Sequence, residues 1–207
     1  RAFLSGFTGS AGTLVVMQDM AGLWTDGRYF LQAEEQLKGS GIDLYKSEQE
    51  GVPTIVEFLI ERLEKKDVLG FDGRVVNASE AEKLSKELEK KGASVCYEMD
   101  LVDLIWKNRP SLSKEPILIL DQKYAGKARE DKIAEIREKM KQEKADLFLL
   151  TSLDEIAWLL NIRGNDVKCN PVVLSYLALS QDQVLLFVNQ EVVSNEVKKE
   201  LEQSNVS

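Results

Sequence analysis

The chain of 207 residues contains no histidine, and this absence removes several kinds of active site. Without an imidazole there is no ordinary Ser-His-Asp or Cys-His triad and no His-based zinc site. A metal site built from carboxylates alone remains possible in principle, but no dense group of Asp and Glu with ligand spacing stands outside the lysine-rich helical runs. We therefore expect the chain to carry out no covalent chemistry and to hold no metal by itself.

Cysteine is almost as scarce, with only Cys96 and Cys169. They form neither a Cys-x-x-Cys pair nor a disulfide framework, which is typical of proteins from a reducing compartment. We expect a cytoplasmic protein in which both cysteines are small buried apolar residues rather than ligands or nucleophiles.

An excess of basic residues and a long apolar run are also missing. The net charge of −8 argues against binding to the phosphate backbone of nucleic acids, which needs a basic face. No apolar run approaches the length that crosses a bilayer, so we expect neither a nucleic acid nor a membrane as a partner. The 43% of hydrophobic and 30% of charged residues suit one or two globular domains.

A polar segment with two prolines, residues 108–116, divides the sequence, and we expect one domain over residues 1–110 and another over 111–207. In both halves strand-like and helix-like patterns alternate, which predicts an α/β fold. The predicted strands are 12–18, 21–25, 42–46, 68–72, 94–97, 117–120, 146–151, 172–179 and 184–189. The predicted helices are 27–38, 52–66, 79–91, 101–106, 127–144, 152–160 and 191–203, with capping boxes beginning at Ser79 and Ser152.

A weak internal repeat relates the two halves. Residues 3–10 precede the first predicted hairpin as residues 158–165 precede the second, with matching apolar positions and with Gly9 aligned to Gly164. A helix and a strand lead into the second copy but not into the first. We therefore expect the first domain to lack an opening strand and helix, with a chance likeness as the alternative.

One segment, residues 23–33, combines the features of a ligand-binding corner. An apolar strand is followed by Thr25 and Asp26, either of which can cap a helix, and by Gly27, which permits a close turn. Arg28 then falls on the first turn of the predicted helix, at the strand end where open α/β sheets usually receive ligands. Its guanidinium can bind a carboxylate or a carbonyl, although pairing with Asp26 or another nearby acid is the alternative.

Three other features favour structural interpretations. Gly6, Gly9 and Gly12 would need a following helix to bind phosphate, but a β-like stretch follows them, so we expect a compact turn. In the segment 163–166 (RGND) we expect a plain turn with an Arg–Asp pair rather than a binding loop. The tryptophans sit beside aliphatic residues, and packing in a core or an interface is expected for them.

The sequence also resembles a known family. Residues 1–13 (RAFLSGFTGSAGT) and 23–33 (LWTDGRYFLQA) closely resemble the N-terminal domain of three-domain Xaa-Pro aminopeptidases. The stretches that resemble the second domain of that family are 153–159 (LDEIAWL), 163–167 (RGNDV), 170–172 (NPV) and 175–176 (SY). The likeness covers nearly the whole chain, and its motifs follow the order that the family shows.

This resemblance implies two creatinase-like domains, each with a mixed central sheet flanked by helices. It also implies a further, catalytic domain outside this chain, which binds two divalent metal ions, usually manganese, and cleaves peptides that carry proline at position two. The present chain would wall the cleft, limit entry to short peptides and support a homodimer. Arg28 matches the family's N-terminal-domain arginine that contacts bound peptide. Arg163 and Asp166 match a motif to which the resemblance assigns no ligand, so structural roles are expected for them.

Two other functions stay open. Relatives of this family that have lost catalysis serve as scaffolds or chaperones, and the acidic charge would suit basic partners. The Thr25-Asp26-Gly27-Arg28 corner favours the peptidase, because a scaffold does not need a substrate-binding arginine. A free-standing nucleotide-binding α/β enzyme is the third hypothesis, and the position of the glycines counts against it.

Overall fold

Helices and strands alternate along both halves of the chain, as the hydrophobic patterns predict. The computed structural model describes residues 1–207 and divides into two units, Arg1–Arg109 and Pro110–Ser207. Each unit combines helices with small β-sheets, which confirms the predicted mixed α/β class. None of the helices has both the length and the apolar character needed to cross a membrane.

The first unit is built from four helices and five strands. Its helices are α1 (Ala2–Ser5), α2 (Phe30–Gln36), α3 (Ile55–Arg62) and α4 (Ala78–Glu89). Its strands are β1 (Thr13–Val16), β2 (Ala21–Thr25), β3 (Ile42–Lys46), β4 (Val68–Gly70) and β5 (Ser94–Cys96). Strands β1 and β2 form the predicted antiparallel hairpin, β2 pairs with β3 in parallel, and β4 pairs with β5 in parallel.

Aromatic side chains fill the core of the first unit. Trp24 on β2 is 3% exposed, and its ring stacks on Tyr45 of β3 with the ring centroids 3.9 Å apart. Phe58 of α3 meets both rings edge-on, and the Trp24 Nε1–H donates to the carbonyl of Pro53 at 2.9 Å. This packing confirms the prediction for Trp24. Trp106 lies half-buried on Phe3 at a centroid distance of 4.4 Å.

The glycine-rich start of the chain serves packing. Gly6 ends α1 in the left-handed conformation with φ 72°, and strand β1 follows Gly12 where a phosphate loop would need a helix. Phe7 is 0% exposed, and a Cβ added to Gly9 would stand 2.3 Å from the Phe7 Cζ atom. The compact turn is therefore confirmed, and glycine is required because the buried ring occupies the space of a side chain.

Several local predictions for the first unit are wrong. Residues 101–106 form turns rather than a helix. Helix α4 begins after Asn77, whose Oδ1 accepts from the backbone N–H of Ser79, so the predicted capping box at Ser79 does not form. Cys96 is exposed at the end of an edge strand, and Cys169 of the second unit is exposed as well, so neither is a buried apolar residue.

The second unit is built from four helices, a 3-10 turn and five strands. Its helices are α5 (Gln122–Ala125), α6 (Arg129–Gln142), α7 (Leu153–Leu160) and α8 (Asn195–Gln203), with the 3-10 turn at Gln190–Val192. Its strands are β6 (Leu118–Ile119), β7 (Leu147–Leu150), β8 (Ile162–Arg163), β9 (Ser175–Ser180) and β10 (Val184–Val188). Strand β9 lies between β10 and β7, antiparallel to both, and β6 pairs with β8. The predicted hairpin of β9 and β10 is confirmed.

The β7–β9–β10 sheet has one buried and one exposed face. Leu177 and Leu179 point into the core, whereas the opposite face carries exposed apolar side chains on all three strands. We call this the outer face, and its members are Leu147, Leu149, Tyr176, Leu185 and Phe187. The strand predicted at 146–151 forms as β7, which stands at the sheet edge and buries only Leu150.

A lysine lies in the core of the second unit. Lys132 of α6 is 1% exposed, and its amine donates to the carbonyl of Trp158 and to Oδ1 of Asn161, both at 2.6 Å. Burial lowers the pKa of this amine, as do the positive charges of Arg163 and Lys127. Lys132, which lies on α6, thereby caps the C-terminal end of α7.

The structure supports the internal repeat of residues 3–10 and 158–165. Helix α7 ends at Asn161 in the left-handed conformation (φ 53°), where α1 ends at Gly6, and each terminal N–H bonds a carbonyl four residues earlier. A Cβ on Gly164 would stand 2.6 Å from the Val173 side chain, as one on Gly9 would meet Phe7. The two copies therefore share a helix end and a close glycine contact at matched positions.

Candidate functional site

The predicted ligand-binding corner follows strand β2, but it is built differently from the sequence expectation. Helix α2 begins at Phe30, so Arg28 lies in the preceding turn and not on the first helical turn. Tyr29 occupies the N-cap position without a side-chain cap bond. Thr25 uses its hydroxyl to donate to the carbonyl of Ala11 at 2.8 Å, so it ties the corner to the glycine-rich start instead of capping the helix.

Asp26 shapes the corner by accepting hydrogen bonds from the residue two positions later. Its Oδ1 accepts from the backbone N–H of Arg28 at 3.1 Å, which makes an Asx turn and not a helix cap. A Cβ on Gly27 would meet nothing closer than 3.8 Å, and its φ is not in the left-handed region. The close turn at this position therefore does not depend on glycine, and it is held by the Asx turn of Asp26.

The guanidinium of Arg28 is both paired and exposed. Its Nε donates to Asp26 Oδ1 at 2.9 Å and its Nη2 donates to Asp26 Oδ2 at 2.8 Å, while 68% of the side chain faces solvent. The hydrogen bond between the two side chains lowers the pKa of Asp26 and raises the pKa of Arg28, so both are ionised at neutral pH. Arg28 therefore pairs with Asp26, as the second sequence alternative predicts, while most of its side chain stays exposed to solvent.

An aromatic ring supports the guanidinium from one side. The Arg28 Cζ atom stands 5.2 Å from the centroid of the Tyr29 ring, a distance at which the ring attracts the cation. The Tyr29 hydroxyl is hydrogen-bonded to Ser10, which lowers the pKa of Tyr29, and its ring contacts buried Phe7 edge-on. The site is therefore anchored to the core of the first unit.

The first unit contains a second copy of the same corner, which the sequence analysis missed. Asp72-Gly73-Arg74 follows β4 as Asp26-Gly27-Arg28 follows β2. Asp72 Oδ1 accepts from the backbone N–H of Arg74 at 3.0 Å, and the Arg74 Nε and Nη2 atoms both stand 2.9 Å from the Asp72 carboxylate. The repeated tripeptide at two strand ends was the signal that could have revealed it.

The two corners differ in what contacts the side of the guanidinium that the first aspartate leaves free. Arg74 Nη2 also contacts Oδ2 of Asp100 at 3.4 Å, and Asp100 is held in turn by Arg109 Nη1 at 2.5 Å. The bond from Arg109 lowers the pKa of Asp100. Arg74 therefore lies between two carboxylates of its own unit, whereas Arg28 forms an ion pair with Asp26 alone.

The second unit has the same turn without the arginine. Asn189 follows β10, and its Oδ1 accepts from the backbone N–H of Glu191 at 3.1 Å, so the Asx turn recurs at the end of that unit's hairpin. The third residue is a glutamate, which pairs with Lys114 at 3.0 Å. The Asx turn can therefore form when its third residue carries the opposite charge.

Arg163 and Asp166 have structural partners and do not pair with each other. Arg163 Nη1 donates to the carbonyls of Ala157 and Ile162 at 2.9 and 2.8 Å. Asp166 Oδ2 accepts from the backbone N–H of Leu174 at 2.8 Å, while its Oδ1 is buried without a partner. The expected Arg–Asp pair is wrong, but both side chains hold backbone together, as a structural role requires.

The chain offers no donor set for a metal ion. The sequence has no histidine, and no three or more Cys, Asp or Glu side chains come together in a group that could hold a cation. Two paired guanidiniums stand exposed after strands of the first unit, with 68% of the Arg28 side chain and 74% of the Arg74 side chain in solvent.

Sequence comparison relates both units to one kind of domain. Residues 1–104 and residues 108–207 each match a family described as the creatinase/prolidase N-terminal domain. The chain is 43% identical over 204 residues to a probable Xaa-Pro aminopeptidase P of Laccaria bicolor, which covers 98% of this chain and 32% of that protein. It is 46% identical over 203 residues to a probable Xaa-Pro aminopeptidase P of Talaromyces marneffei, covering 97% of this chain and 31% of that protein.

A solved structure agrees with these relatives. The crystal structure of X-prolyl aminopeptidase from Caenorhabditis elegans, described as a cytosolic enzyme with a di-nuclear active site, matches with a TM-score of 0.92 and 39% identity, over 100% of this chain and 34% of that one. The chain thus spans about a third of the length of the proteins it matches.

Proposed function

Because the chain belongs to the creatinase/prolidase N-terminal domain family, we propose that it forms the non-catalytic N-terminal part of an Xaa-Pro aminopeptidase. The observation that carries the proposal is the match of the entire chain, at 39% identity and a TM-score of 0.92, to about a third of an X-prolyl aminopeptidase. The activity of the whole protein would be removal of the N-terminal residue from peptides with proline at position two. This part would wall the cleft and support a homodimer in the cytoplasm.

The metal ions of such an enzyme would lie outside this chain. The C. elegans enzyme is described as having a di-nuclear active site. In the catalytic domain two divalent metal ions, which we expect to be manganese, would activate the water that attacks the peptide bond. The residues of this chain do not fit such a site, since histidine is absent and the acidic side chains form no ligand cluster. The purified 207-residue chain with manganese should therefore release no amino acid from an Xaa-Pro peptide, and release would refute this proposal.

Within this proposal, Arg28 contacts the trailing part of the bound peptide. Its exposure and its rigid fork of donors support the role, and the Asn189 corner supports it further because the turn itself does not need an arginine. A lost hydrogen bond to a charged group costs about 1.5–3 kcal/mol. We therefore expect Arg28→Ala in the full-length enzyme to lower kcat/KM by about tenfold to a hundredfold.

The matched control is Arg74→Ala, which removes an arginine from the same Asp-Gly-Arg corner in the same unit. We expect its kcat/KM to match that of the wild type, and we expect the metal content of both variants, measured by elemental analysis, to be unchanged. Unaltered steady-state constants for Arg28→Ala would show that the proposed role of Arg28 is wrong. Metal ligands in the remainder of the gene would separate the enzyme from a non-enzymatic scaffold, which would have lost them.

A further inference from the structure

The free edge of the Arg28 guanidinium has a defined direction. A guanidinium carries five N–H donors in one plane, and Asp26 engages the Nε–H and one hydrogen of Nη2. Because both carboxylate oxygens take part, the plane cannot rotate about the side-chain bonds without breaking two charge-assisted hydrogen bonds. The Nη1 donors and the second hydrogen of Nη2 therefore point away from Asp26 along a fixed line.

The Asp72 corner shows which chemical group can bind to the free side of such a guanidinium. Arg74 is held by Asp72 in the same bidentate manner, and the outer hydrogen-bonding side of its Nη2 faces the Asp100 carboxylate at 3.4 Å. One arginine in this geometry can thus serve two carboxylates at once. The corner at Arg28 has the first carboxylate and lacks the second.

We propose that Asp26 is a positioning residue, which orients the Arg28 guanidinium so that its free edge binds a carboxylate of the peptide substrate. The inference rests on the proposed function and deepens it by naming the chemical group that Arg28 takes. Orientation before binding reduces the conformational entropy that a long, exposed side chain loses when a ligand arrives. The carboxylate is that of the peptide's C-terminus, because a short peptide held by its amine at the reaction centre presents this group at its trailing end.

Asparagine at position 26 separates the turn from the positioning. The Asn189 corner shows that an asparagine forms the same Asx turn, so Asp26→Asn keeps the Oδ1 bond to the backbone N–H of Arg28. In this variant, however, an NH₂ group replaces the Oδ2 atom that accepts from Arg28 Nη2. Two donors then face each other, and the negative charge that attracts the guanidinium is lost. The variant therefore releases the guanidinium without removing the turn.

The kinetic test uses the full-length enzyme and two matched peptides, Xaa-Pro-Yaa with a free C-terminal carboxylate and the same peptide as its carboxamide. We expect the wild type to have the lower KM for the acid, and Arg28→Ala to abolish this preference. We expect Asp26→Asn to raise the KM for the acid about three- to tenfold, an interaction of the size of an exposed ion pair or somewhat more, with kcat and the KM for the amide unchanged. Asp72→Asn, the matched control, should leave both peptides unaffected.

A second measurement on the 207-residue chain follows the guanidinium itself. Asp26→Asn should shift and broaden the Nε–Hε resonance of Arg28 in a nitrogen–proton NMR spectrum, and Asp72→Asn should do so for Arg74 only. An unchanged Arg28 resonance in Asp26→Asn would overturn the positioning role, and so would a wild-type KM for the acid in that variant. If Asp26→Asn behaves as the wild type while Arg28→Ala loses the acid preference, the positioning role fails and the proposed function stands. If Arg28→Ala retains wild-type constants for both peptides, the role of Arg28 in the proposed function fails.

Discussion

The buried lysine of the second unit allows a prediction that combines packing, hydrogen bonding and pH. Lys132 is 1% exposed, its amine donates to the Trp158 carbonyl and to Asn161 Oδ1, and it lies 4.6 Å from the centroid of the Trp158 ring. None of these partners is an acid. Replacement by methionine keeps an unbranched apolar side chain, shorter by one atom, and removes the donors and the charge.

The magnitude follows from two opposing contributions. A buried acceptor left without a donor costs about 1–3 kcal/mol. Lys132→Met leaves one on Asn161, which is 4% exposed, and also removes the bond to the partly buried carbonyl of Trp158. The substitution also removes the cost of keeping a charge in the core, the effect that lowers the pKa of Lys132. We expect the free energy of unfolding at pH 7 to fall by about 2–3 kcal/mol, since the loss of both hydrogen bonds outweighs the relief.

The pH dependence has a definite sign. The pKa of Lys132 in the folded state lies below the ordinary lysine value of 10.5, so between these two values the unfolded chain binds more protons than the folded chain does. In that window the stability of the wild type rises with pH. The Met variant lacks this contribution, so the stability difference between the two proteins should grow as the pH increases from 7 towards 10.5.

Urea unfolding at several pH values, followed by tryptophan fluorescence and circular dichroism, measures both quantities. Lys139→Met is the control, because Lys139 lies on the same helix and is exposed; its unfolding free energy should stay near that of the wild type. A Lys132→Met variant as stable as the wild type, or a difference that shrinks at alkaline pH, would refute the reasoning.

Two further predictions concern helix capping and glycine packing. Thr54 Oγ1 accepts a hydrogen bond from a helix N–H at 3.2 Å, so Thr54→Ala should lower the free energy of unfolding by about 1 kcal/mol. Ser152→Ala should change it little, because Ser152 makes no side-chain cap bond. Equal losses of stability for the two variants in urea titrations would contradict this prediction. Gly9→Ala would place a Cβ 2.3 Å from the ring of Phe7 and should cost about 1–3 kcal/mol. Gly27→Ala has 3.8 Å of room and should keep the wild-type Tm, and a Gly9→Ala variant with that same Tm would show that the ring can move aside.

The elements of the fold follow from local sequence patterns. Apolar runs separated by a short polar turn predicted both hairpins, because that pattern is decided by neighbours in the sequence. The exposure of Leu149 was not predictable in this way, since an edge strand and a central strand can carry the same apolar residues. The same holds for Cys96, whose exposure depends on where β5 ends in its sheet.

The candidate site was predictable in part. Arg28 stood out because a charged residue follows an apolar strand, but its place before the helix depends on the Asx turn of Asp26. Lys132 was not recognised, because lysines among glutamates on a helix usually face solvent, and only the contact with the end of α7 shows otherwise. The second Asp-Gly-Arg at Asp72 is visible in the sequence, yet its difference from the first becomes apparent only when Asp100 is located next to Arg74.

The outer face of the β7–β9–β10 sheet sets a practical condition for every experiment on this chain by itself. Leucine and aromatic side chains on three neighbouring strands are in contact with water there, and β7 is an edge strand with a free hydrogen-bonding side. Concentrated samples should therefore self-associate and bind hydrophobic dyes. Binding and NMR work on the 207-residue chain calls for dilution series and light-scattering checks before any change in a spectrum is attributed to a ligand.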